Sequence, residues 1–335
     1  MEQRFISLSI ILLVIFTLPA KGKEATALFP VKQSGKWGFI DRKGKMAIEP
    51  IFDEADDFSE GLAKVKIRGK YGYVDQKGKI VIYAQFDSAG SFSEGRAEIK
   101  KAGELGYIDP TGRMVISAMQ WDKIFPFSDG MAAVEFKGLC AFLDQNGVLK
   151  FKGNFEECGR FSEGLAKVRK IGEKKCGYID KNGQPLISPM FDDCGAFGQG
   201  LAPVRMREKW GYLDSGYGKT GKMAIMLEFD QAGEFSEGLA RVRIGQKWGF
   251  IDPDYGKTGR KAIEPRFDFV FPFSDGLARI KSGEKFGFIT RSGNMAIQPQ
   301  FDQVLDFKDG LARIEVEGKI GYLDRNGKYV WEPTE

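Results

Sequence analysis

The 335-residue sequence contains no histidine. That absence removes the commonest general base and the commonest metal ligand, and with them Ser-His-Asp triads and histidine-based zinc sites. Charge of either sign is not in excess. The 50 basic and 46 acidic residues give a net +4 spread along the whole chain, which supplies no strong field for nucleic acid or a membrane surface. Cysteine is scarce, at four, and no C-x-x-C spacing occurs, so a metal held by four thiolates is disfavoured. In contrast, glycine (43) and phenylalanine (28) are abundant, a combination that suits many tight turns between short strands.

A single long apolar run, Phe5 to Leu18, follows Arg4 and precedes Pro19, Ala20 and the charged Lys21-Gly22-Lys23-Glu24. It is short for a bilayer span and of ordinary length for a signal-peptide core. Residues 1–20 therefore read as a signal peptide, with cleavage after Ala20 or after Ala27; an uncleaved membrane anchor is the alternative. No cysteine ends the run, which argues against a lipid-modified N-terminus. The mature chain is expected to be exported, periplasmic or extracellular, touching a membrane only through an uncleaved leader.

Self-comparison shows a recurring pattern, which takes precedence over other readings. Lys36-Trp37-Gly38-Phe39-Ile40-Asp41 returns as Lys70-Tyr71-Gly72-Tyr73-Val74-Asp75 and again around Gly106, Ala141, Gly177, Gly211, Gly249, Gly287 and Gly321. A second signature, Phe58-Ser59-Glu60-Gly61-Leu62-Ala63, recurs from Phe92, Phe127, Phe161, Phe197, Phe235, Phe273 and Phe307. Each unit reads as strands. Asp41 with Gly44 is hairpin chemistry, an Asp capping backbone N–H groups and a Gly at positive φ. Lys45 to Glu49 returns and Pro50 ends the strand. Phe52 to Phe58 reads as a linker, and Leu62 to Ile67 alternates apolar and basic residues as a half-buried strand does. Leu28-Phe29-Pro30-Val31-Lys32 aligns with the Leu62 strand, and the last unit stops after Trp331-Glu332-Pro333. Residues 28–333 thus hold nine copies of a three-stranded β-meander, each too small to stand alone.

The Trp-Gly core followed by Ile-Asp, the turn glycine and Phe-Ser-Glu-Gly-Leu-Ala together resemble the WG-repeat (KWG) family of bacterial proteins, over essentially everything after the leader. The resemblance implies an interaction or binding module. The sequence departs from the family pattern at Cys140-Ala141, Leu105 and Ile320. The expected fold is all-β, nine tandem meanders stacked as an open solenoid-like array. Nine units exceed the roughly four to eight blades usual in a propeller, so a closed β-propeller is the alternative.

Cys140, Cys158, Cys176 and Cys194 are spaced evenly by 18. Cys140 and Cys176 stand at the Trp position of adjacent units, and Cys158 and Cys194 stand three residues before Phe161 and Phe197, where other units have Ala55, Ala89, Ala232, Ile124, Val270 or Val304. If the two positions touch, the ring over a small residue is replaced by a disulfide, pairing Cys140 with Cys158 and Cys176 with Cys194. Pairing between neighbouring units, as Cys158 with Cys176, is the alternative.

Several motifs carry little chemistry. Gly216 to Met223 matches G-x-G-x-x-G and nearly a phosphate-binding loop, but Met223 stands where Ser or Thr is required; it reads as a lengthened hairpin turn, repeated from Asp252 to Gly259. Asp252 and Asp254 lack the further carboxylates of a calcium loop. Lys36, Lys70, Lys175, Lys209, Lys247, Lys285 and Lys319 precede the aromatic position and read as a solvated strand edge, with an acidic polymer or glycan as the functional alternative. No catalytic residues, metal or cofactor are expected. The expected function is a non-enzymatic scaffold with an unidentified protein partner, and glycan or cell-wall binding through Trp37, Trp210 and Trp248 is the alternative.

Overall fold

The computed structural model describes residues 27–334; the signal-peptide reading of residues 1–20 and the cleavage point after Ala20 lie outside them. The first unit is an antiparallel sheet of β1 (Leu28–Gln33), β2 (Lys36–Asp41) and β3 (Met46–Phe52). The second adds a strand: β4 (Glu54–Ser59), β5 (Leu62–Ile67), β6 (Lys70–Asp75) and β7 (Ile80–Phe86), hydrogen-bonded in that order. The stretch read as a linker is therefore the fourth strand. Its pairing jumps from Ala55–Val65 to Phe58–Ala63, and this bulge breaks the alternation by which a strand is recognised. Later units repeat the four-stranded sheet. Units four and five are fused into one seven-stranded sheet because the strand Leu149–Cys158 serves both.

The WG glycine is required by close approach. A Cβ on Gly72 would lie 2.5 Å from the Ile82 carbonyl oxygen, and one on Gly177 would lie 2.3 Å from that of Ile187. The return strand presses onto the aromatic strand there, at the register shift between Tyr71 and Tyr73. Unit four tolerates Ala141 because its return strand pairs differently, with Ala141 opposite Lys152.

Units join by one repeated aromatic contact. The aromatic residue after each WG glycine meets the Phe of the next unit's Phe-Ser-Glu-Gly turn, as in Phe39–Phe58 (4.9 Å between ring centres), Tyr73–Phe92 (4.9 Å) and Tyr178–Phe197 (5.0 Å). Such edge contacts stabilise beyond the area they bury.

Polar groups reinforce each joint. Ser59 Oγ donates to the Phe92 carbonyl, Ser93 to Phe127, Ser128 to Phe161, Ser162 to Phe197, Ser236 to Phe273 and Ser274 to Phe307. The adjacent acid reaches one unit further on: Glu60 accepts the N–H groups of Glu94 and Gly95, Glu94 those of Asp129 and Gly130, Glu237 those of Asp275 and Gly276. These turns have positive φ at both central residues, 51° at Glu60 and 83° at Gly61, the hairpin geometry that favours Gly second.

The all-β class and the tandem meanders are as expected, and the array takes the closed form. Unit nine packs on unit one: Phe29, Val31 and Ile40 share a buried cluster with Leu311, Ile320 and Tyr322. Gly44 lies against the Val330 carbonyl, just as Gly78 lies against Ile48 and Gly112 against Ile82. Tyr322 donates to the Pro30 carbonyl at 2.8 Å and Thr334 Oγ1 to the Lys32 carbonyl at 3.2 Å. The open stack gives way to a ring: from unit two onward a fourth strand completes the sheet as in a propeller blade, and the two ends of the array meet.

Candidate functional site

Besides the fused sheet of units four and five, the ring departs from its repeat at the seam. Among the described residues, no strand occupies in unit one the innermost place that β4 takes in unit two. A cavity of about 330 Å³ lies there, lined on one side by Phe29 and Pro30, and on the others by Asp56, Asp57, Leu305, Asp306, Lys308, Arg313 and Tyr322.

The local sequence of unit one departs from the other units. Eight units place a buried alanine after the Leu, Arg or Met that follows the turn glycine, from Ala63 to Ala312. Unit one places Phe29. Its ring meets Tyr322 at 5.7 Å and so supplies the aromatic contact that the Phe of an inner strand supplies elsewhere. The Tyr322 hydroxyl likewise turns to Pro30, whereas Tyr73, Tyr178 and Tyr212 donate to inner-strand carbonyls, those of Gly90, Gly195 and Gly233. Burial raises the Tyr322 phenol far above the usual tyrosine range, so it is a donor at all physiological pH.

Three arginines occupy one repeated position, two residues after the strand-opening leucine. Arg241 donates to the Val270 carbonyl of the next unit at 3.0 Å. Arg279 donates to the Val304 carbonyl at 2.9 Å and grips both oxygens of Asp306. Arg313 is the corresponding residue of unit nine. Among the described residues its guanidinium meets no acceptor and lies over the Trp37 ring, 5.3 Å from its centre. Lys308 borders the cavity, donating to the Phe58 carbonyl at 3.1 Å with Asp57 3.8 Å away.

The cysteines form the expected pairs, Cys140–Cys158 and Cys176–Cys194, with Cα atoms 6.2 Å apart in each; because the stretch read as a linker is a strand of the following unit, each bridge ties two units together. Each joins the Trp position of one strand to the start of the next unit's inner strand. The tryptophans do not form an exposed row: Trp248 is buried, Trp37 and Trp210 are half-buried, and arginines cover them, Arg241 over Trp248 at 5.3 Å and Arg205 over Trp210 at 6.0 Å.

The lysine row is not a bare edge either. Lys36 pairs with Asp53, Lys70 with Asp87, Lys175 with Asp192, Lys209 with Asp230, Lys247 with Asp268 and Lys285 with Asp302. Each of these carboxylates also accepts a backbone N–H from the next unit's hairpin, as Asp53 does from Arg68. The lysine hydrogen bond leads in holding Asp53, Asp87, Asp192, Asp230, Asp268 and Asp302 below the usual carboxylate range.

The turn aspartates act as caps: Asp41 Oδ1 accepts the N–H groups of Lys43 and Lys45, and Asp75 those of Lys77 and Lys79. The lengthened turns each form one helical turn, Tyr217–Thr220 and Tyr255–Thr258. Their tyrosines pack on the preceding unit, Tyr217 on Phe191 and Tyr255 on Phe229, both at 5.5 Å. Asp252 caps the Asp254 N–H, and Asp254 pairs with Lys257.

Arg313, Lys308 and Tyr322 escaped the sequence reading. The signal available was Phe29 standing where every other unit has alanine.

The family description "WG containing repeat" matches residues 37–71, 71–104, 106–140, 142–174, 177–210, 217–248, 255–286 and 286–319. No curated protein sequence matches the chain. Among solved structures, a eukaryotic initiation factor is similar at a TM-score of 0.64 and 11% identity, over 91% of this chain and 95% of that one. The dihydro-heme d1 dehydrogenase NirN in complex with DHE gives 0.47 and 14% over 94% and 75%, and apo AztD from Citrobacter koseri gives 0.46 and 11% over 91% and 93%. At these identities the first likeness speaks to the fold alone.

Proposed function

The chain belongs to the family of WG-containing repeat proteins, and from that premise we propose that it is a non-enzymatic, exported scaffold that binds a partner protein at the seam of its ring. The observation that carries the reading is the seam cavity. It lies where unit nine meets unit one, and among the described residues the Arg313 guanidinium that lines it meets no acceptor.

Absence of histidine and the use of the recurrent carboxylates as turn caps and lysine partners argue against catalysis. Two disulfides favour an oxidising compartment and so export. Glycan binding would call for open aromatic faces, whereas the faces of Trp37, Trp210 and Trp248 are covered by arginines.

The test is site-directed photo-cross-linking in envelope extract. A cross-linker replaces Leu305, which lines the cavity and is 51% exposed, or, as control, Tyr83 on the outer strand, 76% exposed. A discrete protein adduct from position 305 and none from position 83 is expected. Equal capture from both, or binding confined to a glycan array with quenching of tryptophan fluorescence, would overturn the reading.

A further inference from the structure

We propose that the cleft between units three and four binds a small organic cation that carries one aromatic ring, an arylalkyl amine or guanidine, with its ring against Leu105 and its charged head on the Glu98 carboxylate. The site is separate from the seam, lies wholly among the described residues, and adds a ligand to the scaffold proposed above.

The repeat shows what fills this place at other joints. Where unit seven meets unit eight, the Trp248 ring packs edge-on against Phe269 of the next inner strand, 5.3 Å between centres, and the Arg241 guanidinium lies over both rings at 5.3 and 5.4 Å. Where unit two meets unit three, the Lys64 ammonium lies 5.3 Å from the centre of the Tyr71 ring. Unit three carries Leu105 at the register of Trp248 and Glu98 at the register of Arg241, and unit four carries Lys123 at that of Phe269. Lys123 is drawn aside by Glu135 at 3.0 Å. Ring and cation are thus both missing, and a cleft of about 360 Å³ opens between Ala89, Glu98, Leu105, Ile124 and Phe125. That volume falls within the range of small-molecule sites, about 300–1,000 Å³.

The charge at this joint is inverted as well. Six other joints set a lysine against the first aspartate of the next inner strand, as Lys36 is set against Asp53. Unit three has Glu104 at the lysine's register, and Asp122 lines the cleft. Where other units have a charged residue at the register of Glu98 it is basic: Lys64, Lys167, Arg241, Arg279 and Arg313. The Glu98 carboxylate leans over Gly90, where a Cβ would come within 1.8 Å of its Oε1, and its Oε2 is buried with no hydrogen-bond partner. Lys64 acts on it from unit two but is itself paired with Asp56 at 2.9 Å. A buried carboxylate oxygen without a donor is costly. A cation entering the cleft supplies both the opposite charge and the N–H donors, while Leu105, Ile124 and Phe125 cover its apolar body. An apolar concavity with a few placed polar groups is the usual make-up of a small-molecule site.

The probe is tryptamine, titrated onto the mature chain at neutral pH by isothermal calorimetry. Saturable one-to-one binding is expected. Its alcohol analogue tryptophol, which keeps the ring and loses the charge, should bind the parent at least about tenfold more weakly, the least that a hydrogen bond to a charged group contributes. Indoleacetate, with the charge reversed, should not bind. Glu98→Gln should weaken tryptamine at least as much as loss of the ligand's charge does. Leu105→Trp, which returns the repeat's ring to the cleft, should abolish binding, both in variants whose circular dichroism matches the parent. No saturable binding, equal affinity for tryptophol or indoleacetate, or indifference to either substitution would overturn the proposal. The comparison of the three ligands is made on the parent chain and so decides the matter even where a variant fails to fold.

Discussion

The Tyr322 hydroxyl donates to the Pro30 carbonyl across 292 positions of sequence, and this one bond does at the seam what Tyr73, Tyr178 and Tyr212 do between consecutive units. Because Tyr322 is buried, its removal leaves a carbonyl short of a partner in a place water reaches poorly. Tyr322→Phe is expected to cost about 1–2 kcal/mol. Urea titration should show a lower midpoint with the slope unchanged; an unaltered midpoint would mean that the ends are not held together by this contact.

The disulfides offer a larger effect. Each closes a loop of 18 residues, for which chain entropy gives about 3 kcal/mol. Cys176→Ser with Cys194→Ser should therefore lower stability by about that amount, and reductant should do the same to the parent. Mass mapping of a non-reduced digest should recover the Cys140–Cys158 and Cys176–Cys194 peptides. Recovery of a Cys158–Cys176 peptide would refute the pairing.

The WG glycine is predicted to be irreplaceable where the return strand presses on it. Gly72→Ala should cost about 2–3 kcal/mol, the upper part of the range for overpacking, because the new methyl would meet backbone and not a flexible side-chain end. Ala141→Gly in unit four should change stability by less than about 1 kcal/mol. Thermal unfolding of the two variants side by side decides the matter, and equal losses would sink the explanation.

How far the sequence is legible follows from these residues. Asp41, Glu60 and Gly61 are readable as turns because their chemistry is local, with partners two to four residues away or at the same position of the next unit. The cysteine pairing was readable because both partners depart from the repeat together. Ring closure was harder to read. A local pattern fixes the joint between neighbours, but the number of units that closes a circle depends on the angle per joint, which no residue type spells out. The fourth strand was hidden by its bulge between Ala55 and Phe58. The lysine row was misread as an edge because the partner of Lys36 is Asp53, across a joint that is invisible until the units are stacked.

Those lysine–aspartate pairs predict a pH response. Asp53, Asp87, Asp192, Asp230, Asp268 and Asp302 have folded pKa values below their unfolded ones. Their contribution is present above the unfolded carboxylate range, about pH 4, and is lost as pH falls through the lowered folded values. Because they are solvent-exposed, each contribution is small and screened by salt. Urea midpoints should be flat from neutral pH to about pH 5 and fall below about pH 4, with a smaller acid loss in 1 M salt. A midpoint that rises on acidification would contradict the assignment.

Glu98 should respond in the opposite sense. It occupies the register of Arg241, Arg279 and Arg313, yet carries an acceptor where those residues carry donors. Its Oε2 is buried without a hydrogen-bond partner, and it lines a cleft with Ile124 and Phe125 of the next inner strand. Burial raises its pKa. The charged form is thus less well accommodated in the folded chain than in the unfolded one, a cost present above the raised folded value and relieved as pH falls through it. Glu98→Gln removes the charge and supplies N–H donors toward the carbonyls that the arginines use elsewhere. It should therefore stabilise the ring at neutral pH by about 1 kcal/mol, and the gain should shrink as the parent's carboxyl protonates. Denaturation of parent and variant at pH 7 and pH 4.5 tests this, and a variant less stable than the parent at neutral pH would mean that the carboxylate has a partner the cleft supplies.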